Sequence, residues 1–365
     1  MNESFSIFNF SSKAYVLGLV AGIYATAMIS AIAFYWFPEP FYFRPWEYFD
    51  EIVFHNAEHT GEWRGNSKGN LSRGYLFRYQ QSWRTEVSVN ADGFRMTPCS
   101  LDEYPILVVG ASHTFGSGIS DHESIAWVLS NETGRAVFNG GRRAFYLPKL
   151  LANPALIQTR IIIEFVADDL ITPTIFADPL EVEPYSPLRQ HDPSWSLLRV
   201  PFKRYFIPAK LFRIFRVDTP YFSPASYGYD GAYARGHGAY VVAFSPGDSA
   251  ISLMNIERRA RKIESLGYRY VFVPIPNRSR YYNSYTNAYS QSYHPLIVAG
   301  LQQRGVHAIS VYDELERRKR DGVHLQTDTH ISALGANLIA GKVASYLLES
   351  GLLTDIPRHS CALGG

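Results

Sequence analysis

Cysteine is nearly absent from this chain: among 365 residues only Cys99 and Cys361 occur. Two cysteines so far apart make neither a metal motif nor a disulfide framework, and they leave room for one bridge at most. A surplus of either charge is lacking too. The formal net charge is +2, so no basic surface argues for nucleic acid as a partner. No internal repeat is apparent, and nothing in the sequence calls for a cofactor. Asp168 and Asp169 lie side by side, but no His or Cys is spaced to complete a metal site with them, and they read as the start of a loop. The 365 residues suffice for one large domain or two modest ones. Tyrosine is abundant, at 25 residues; tyrosine-rich loops can cover a sugar-binding surface and can equally be core or interface.

Charge is missing altogether from residues 14–37, AYVLGLVAGIYATAMISAIAFYWF. About 20 apolar residues span a bilayer as helix, so this run is long enough. Tyr35, Trp36 and Phe37 suit an aromatic belt at one interface. Lys13 and Arg44 flank the run and give little orientation signal. A cleaved signal peptide is the rival reading, but its apolar region is usually shorter and no clear cleavage site follows. The expectation is an uncleaved anchor with residues 38–365 outside the cytoplasm, in the periplasm or at the cell surface.

Beyond the anchor the chain divides into an exit segment and linker (38–86), a domain (87–350) and a C-terminal tail (351–365), with residues 1–13 as N-terminal tail. VSVNADGFRMTP (87–98) alternates and then turns at Asp92-Gly93. From there strand and helix signals alternate. ILVVG (106–110), AVFN (136–139), RIIIEFV (160–166), YRYVFVPIP (268–276) and HAISVY (307–312) read as strands. Ser120 and Glu123 are spaced as a capping box for a helix reaching about Gly134. Residues 145–158 read as a helix interrupted by Pro148 and Pro154. Asp248 opens a helix ending at Gly267. Ser332 opens the last, with Leu334, Leu338, Val343 and Leu347 near one face. The rhythm breaks at about 171–240, an insertion rich in Pro, Tyr and Arg. Repeated β–α order implies an α/β domain with a mainly parallel sheet and helices on both faces.

In such a sheet, ligands bind beyond the carboxyl ends of the strands. Ser112 follows strand 106–110 and falls at that edge, where its N–H could face an oxyanion. A serine hydroxyl is a poor nucleophile unless a base takes its proton, and the base is typically a histidine held by a carboxylate. Asp328 and His330 offer that pair in QTDTHIS, before the last helix. Alone, Ser112 would be an ordinary turn serine, Asp328 a turn aspartate and His330 a surface or capping residue; their value is joint. His113 suits a pocket-lining or structural role, since adjacent side chains diverge. Glu164, inside an apolar strand, reads as a buried hydrogen-bonding group, with a raised pKa as the sharper alternative. Arg142 and Arg143 read as surface charges, or as contacts to an anionic sugar.

These residues carry a resemblance. VVGASHTFGSGISDHES is similar to the first block of the SGNH (GDSL-like) hydrolase clan, and VNADGFR to the N-x-x-G-F-R hairpin upstream of it in membrane-attached members. VFNGGRRAFY resembles the second block and TDTHISALGANLIA the last. The resemblance implies a flavodoxin-like three-layer fold behind one N-terminal transmembrane helix, and serine-dependent acyl ester chemistry as hydrolase or transferase. It implies Ser112 as nucleophile, His330 as base, Asp328 as its orienting acid, and an oxyanion hole drawn from Ser112, Gly141, Ala144 and Asp168. Ala111 stands where the first block usually has aspartate, and Asp168 where the third has the hole's asparagine. A carboxylate there repels a developing oxyanion unless protonated or turned away. Ala144 replaces the second block's later glycine.

A narrower similarity is to the alginate-type polysaccharide O-acetyltransferases. These share the anchor, the D-x-H spacing and a strand ending in a P-x-K-like turn before tyrosine. Here that turn is VPIPNRSRYY, with Asn277 for the lysine, and the D-x-H pair follows the serine instead of preceding it. With His113, Arg142 and Arg143, Asn277 makes a candidate substrate-binding set. The implied partners are a carbohydrate acceptor or acylated glycan and a membrane acyl-donor protein. The rivals are an SGNH carbohydrate esterase and a non-catalytic, membrane-tethered glycan-binding or assembly protein.

Overall fold

The structure, a computed structural model, describes residues 12–36, 61–68, 82–90, 92–99, 103–141, 147–184, 246–276, 296–325 and 330–358. Helix α1 (Ser12–Trp36) forms from the uncharged N-terminal run. Its described side chains, at 14–29 and 32, are mostly exposed. Among the described residues no helix is long and apolar enough to cross a membrane.

Strands β1 (Gly61–Lys68) and β2 (Ser82–Val89) pair antiparallel as a two-stranded ribbon. The turn after β2 is set by Asn90, whose Oδ1 accepts from the N–H groups of Asp92 at 3.1 Å and Phe94 at 2.9 Å. This is the side-chain mimicry of a backbone turn that makes asparagine favourable here.

The β–α alternation becomes a five-stranded sheet. Strand β3 (Ile106–Gly110), buried at every residue, pairs with β4 (Val137–Gly141) on one side and β5 (Ile161–Ala167) on the other. Beyond β5 come β6 (Arg269–Ile275) and the two-residue β7 (His307–Ala308). All four pairings are parallel and the spatial order is β4-β3-β5-β6-β7. The order reverses between β3 and β5, and in such sheets ligands bind at that reversal, beyond the carboxyl ends of the strands.

Between the strands run α2 (Ser112–Phe115), α3 (Ile125–Thr133), α4 (Leu147–Leu150), α5 (Pro246–Ser265), α6 (296–303), α7 (Tyr312–Arg317) and α8 (Ala333–Glu349). Successive side chains on a strand face opposite sides, so the sheet separates two cores. Ile106, Val108, Ile161 and Ile163 pack with α3, α7 and α8; Leu107, Val109, Ile162 and Val166 pack with α4, α5 and α6.

Several elements are shorter or shifted. The Ser120–Glu123 capping box forms, with Glu123 Oε2 accepting from the Ser120 N–H at 2.7 Å, but it closes a 3-10 turn, Asp121–Glu123. Ser124 then caps α3 separately. Helix 145–158 reduces to α4 and a 3-10 turn at Pro154–Leu156, where Asn153 caps and Pro154 starts the turn. HAISVY keeps only His307–Ala308 as strand, because Tyr312 already opens α7. On α8 the core side is Ala336, Ile339, Ala340, Val343, Ala344 and Leu347, with Leu334 and Leu338 only partly buried. The small alanines let the helix lie close against α3 and the sheet, which a count of large apolar residues does not register. Packing also continues past Glu349. Leu352, Leu353 and Ile356 are buried in the first core, and Arg135 donates to the carbonyls of Leu353 at 3.0 Å and Ile356 at 3.2 Å.

Of the expected insertion at 171–240, residues 185–240 lie outside the described residues, as does the exit segment 38–60. Cys99 is disulfide-bonded. The sequence holds one other cysteine, Cys361, which lies outside the described residues.

Candidate active site

Strand β3 ends at Gly110, which has φ +151°. A Cβ there would meet Thr114 Oγ1 at 2.2 Å and the Phe165 carbonyl at 2.4 Å, so only glycine lets the chain leave the strand beside β5. It turns at once into α2, a single helical turn. The carbonyl of Ala111 accepts from Thr114 and Phe115, and that of Ser112 from Gly116, each at 3.1 Å. Ser112 is the first residue of this turn and half-buried. As in any first helical turn, its own N–H has no carbonyl one turn back to bind.

The imidazole that meets Ser112 comes from the other end of the chain. His330 is buried, two residues before Ser332, the N-cap of α8. Ser332 Oγ accepts from the Gly335 N–H at 3.2 Å and donates to the Gly322 carbonyl at 2.6 Å. The His330 carbonyl accepts from the Leu325 N–H at 2.9 Å, and His324 bridges Ile331. With its backbone fixed on both sides, His330 brings Nε2 to 2.6 Å from Ser112 Oγ, across 218 residues of sequence. With Nε2 toward the hydroxyl, Nδ1 is the nitrogen left for an orienting carboxylate. Asp328 lies outside the described residues, as do Arg142, Arg143, Ala144 and Asn277.

His113 is buried, with its ring against that of His330: the centroids are 4.7 Å apart and the planes differ by 32°. It packs on the His330 ring instead of reaching into solvent. Gly141 comes against the Ser112 turn, since a Cβ on it would lie 2.4 Å from the Phe115 nitrogen. Its N–H, however, donates to Asn139 Oδ1 at 3.0 Å and so is not a free oxyanion donor in this arrangement. Asp168 follows the end of β5 and opens a 3-10 turn. Phe165, three residues earlier, is in register with Gly110. Asp168 thus lies at the same sheet edge as Ser112, and it is buried.

One group escaped sequence reasoning. Arg95, from the N-x-x-G-F-R turn, is buried under the loop that follows Ser112. Its guanidinium donates to Asp121 Oδ1 at 2.7 Å and to the carbonyls of Phe115 at 2.8 Å, Gly116 at 2.6 Å and Ile119 at 2.7 Å. The signal was present in the arginine of that motif, but nothing in its spacing from Ser112 gave it a task. Among the described residues no group of three or more His, Cys, Asp or Glu side chains is placed to hold a metal.

A hydroxyl within hydrogen-bond reach of an imidazole, at the carboxyl edge of a parallel sheet, can be activated for attack on a carbonyl. The family model of the SGNH hydrolase-like domain of the acetyltransferase AlgX matches residues 237–363, which include the D-x-H block. Residues 237–363 are therefore SGNH hydrolase-like. No curated protein matches the sequence. Among solved structures, a G-D-S-L family protein from Desulfitobacterium hafniense DCB-2 aligns at 12% identity with a TM-score of 0.37. That alignment covers 66% of this chain and 97% of that one. The family match over residues 237–363 supports acyl ester chemistry, as an acyltransferase or an esterase.

Proposed function

We propose that this enzyme transfers an O-acyl group, acetyl in the reading favoured here, to envelope or exported carbohydrate through an acyl-enzyme. The observation that carries the reading is the 2.6 Å approach of Ser112 Oγ to His330 Nε2. Ser112 Oγ attacks the acyl carbonyl carbon while its proton passes to His330 Nε2. The bond to the departing alcohol breaks, and His330 returns the proton to that oxygen. A sugar hydroxyl then attacks the serine ester by the same steps in reverse. Asp328 holds the imidazolium from its Nδ1 side, and the Ser112 N–H donates to the oxyanion.

Transfer is favoured over hydrolysis by two observations. The family matched over 237–363 is named for an acetyltransferase, which supports a polysaccharide as acceptor. The second is Asp168, a buried carboxylate at the edge where a neutral donor would serve a general hydrolytic site. Losing one oxyanion donor typically costs about 10²–10³ in kcat. We expect slow release of acetate from a simple aryl acetate, faster turnover when a suitable oligosaccharide is added, and acetylated sugar as product. Asp168→Asn raises simple hydrolysis by supplying a neutral N–H donor. Brisk deacetylation of an acetylated glycan by the wild type, indifferent to acceptor and slowed in Asp168→Asn, identifies an esterase instead.

The setting is extracytoplasmic, with the uncharged run 14–37 as anchor and a membrane acyl-donor protein as partner. The disulfide at Cys99 supports that side of the membrane, because such bonds persist in oxidising compartments. Full-length protein stays in the membrane fraction through carbonate washing. A reporter fused after Gly365 is active outside the cytoplasm; activity confined to the cytoplasm reverses the orientation.

A further inference from the structure

We propose that Arg95 is a positioning residue for the acyl-transfer step, setting the height and direction of Ser112 from beneath its turn. The inference rests on the serine-enzyme reading above. A one-turn helix cannot position a nucleophile by itself. Helices this short are unstable in isolation, and their last carbonyls have no partners within the helix. At and just beyond the end of α2, carbonyls are collected by one guanidinium. Nη1 takes Phe115 and Gly116, Nη2 takes Ile119, and Nε takes the carboxylate of Asp121. Three of the four acceptors are therefore backbone: Phe115 and Gly116, which directly follow Ser112, His113 and Thr114, and Ile119 a few residues on.

The loop is shaped for this occupant. Gly116 has φ +85°, and a Cβ on it would come within 2.5 Å of Arg95 Nη1. Glycine at 116 thus serves the turn conformation and also clears the space the guanidinium fills. The Arg95 Cζ stands 5.3 Å from the Phe115 ring centre, capping the aromatic face at the end of the turn. Asp121 is itself held, since its other oxygen accepts from the Ser88 N–H of β2 at 2.8 Å, and Ser120 Oγ accepts from the Glu86 N–H at 3.2 Å. A rigid chain of contacts runs from the ribbon, through Asp121 and Arg95, to the carbonyl end of α2. Only a planar fork with several donors in fixed directions can serve four oxygens spread over residues 115–121. A lysine ammonium keeps the charge and loses the fork.

A purely structural arginine is available for comparison in the same protein. Arg135 is also buried and also caps carbonyls, those of Thr133 at 2.6 Å, Leu353 at 3.0 Å and Ile356 at 3.2 Å, away from Ser112. The test measures acetyl-serine formation from an aryl acetate and labelling by a fluorophosphonate, in full-length wild type and in Arg95→Lys, Asp121→Asn and Arg135→Lys, with melting temperatures alongside. Displacing a reacting group by about 1 Å can cost about 10²-fold. We expect Arg95→Lys to lower kcat for acylation by about that factor while KM stays within about threefold. Arg135→Lys should lose thermal stability and keep its acylation rate. Asp121→Asn, which leaves the three carbonyl bonds in place, should lose about tenfold, and it decides the matter if Arg95→Lys does not fold. Wild-type acylation rates in folded Arg95→Lys or Asp121→Asn overturn the positioning role alone. So does a loss that merely follows the folded fraction, as in Arg135→Lys. A wild-type protein in which Ser112 takes neither label overturns the serine-enzyme reading, and this inference with it.

Discussion

Replacing Ser112 with alanine is expected to abolish acyl-enzyme formation while leaving the domain folded. The loss follows from the geometry at the sheet edge. The Ser112 hydroxyl is the group that His330 Nε2 addresses at 2.6 Å, and alanine leaves the imidazole nothing to activate but water. In enzymes where a serine and histidine act as a unit, removing either member costs on the order of 10⁶-fold in kcat, and what remains comes from binding and the oxyanion donors. Labelling by a fluorophosphonate should therefore fall to background in Ser112→Ala. The fold should tolerate the change. Ser112 is half-buried, its backbone turn is held by the carbonyl of Ala111 and by Arg95, and the lost hydrogen bond is worth about 1 kcal/mol. His330→Ala should lose labelling to the same degree, and the double variant should lose no more than either single one. Undiminished labelling in Ser112→Ala, traced to another residue by peptide mapping, would remove Ser112 from the mechanism.

The serine and histidine were legible in the sequence because each sits at a boundary that local chemistry marks. ILVVG has no polar residue to break a buried strand, and the glycine-rich loop after it has no helical or strand period. His330 precedes a serine that caps a helix. What links them over 218 residues is topology, and strand–helix alternation already demanded a parallel sheet whose active edge collects the strand ends. Properties that depend on partners distant in sequence were not legible. Arg95 looked like part of a turn, yet its four acceptors lie 20 to 26 residues away. Gly141 looked like an oxyanion donor; there the missed partner is local, since Asn139, two residues before it, takes its N–H. Glu164 was legible as a buried carboxylate, but its partners were not.

Those partners define the largest stability effect expected. Glu164 lies in the middle of β5, on the side that faces the second core, and is 1% exposed. A lone carboxylate there would be strongly disfavoured. Arg259 of α5 meets it with both arms of its guanidinium, Nε and Nη2 each at 2.8 Å. The hydroxyl of Tyr270 on β6 donates to Glu164 Oε2 at 2.7 Å. The Phe176 ring centre lies 4.1 Å from the guanidinium carbon. The group ties α5 to two adjacent strands, and it explains Glu164 as a structural residue. Breaking a buried pair by removing one member costs about 3–5 kcal/mol, because the other charge stays buried without compensation. Glu164→Ala should therefore lower the melting temperature by roughly 10 °C. Fluorophosphonate labelling of Ser112, measured well below that transition, should stay near the wild-type rate. Glu164→Met combined with Arg259→Leu should recover much of the loss, since well-packed apolar residues can replace such a pair at little cost. Tyr270 adds a pH signature. Burial, reinforced by the Glu164 carboxylate, holds its pKa well above the ordinary tyrosine value, while an unfolded tyrosine titrates near pH 10. The folded protein thus keeps a proton that the unfolded chain releases. This contribution to stability is complete below about pH 10 and is lost as the pH rises toward the folded value. Chemical denaturation of wild type and Tyr270→Phe should show the gap between them narrowing above about pH 10. A gap that stays constant or widens with alkali, or a Glu164→Ala protein as stable as the wild type, would show that the carboxylate and the phenol do not share a buried charge network.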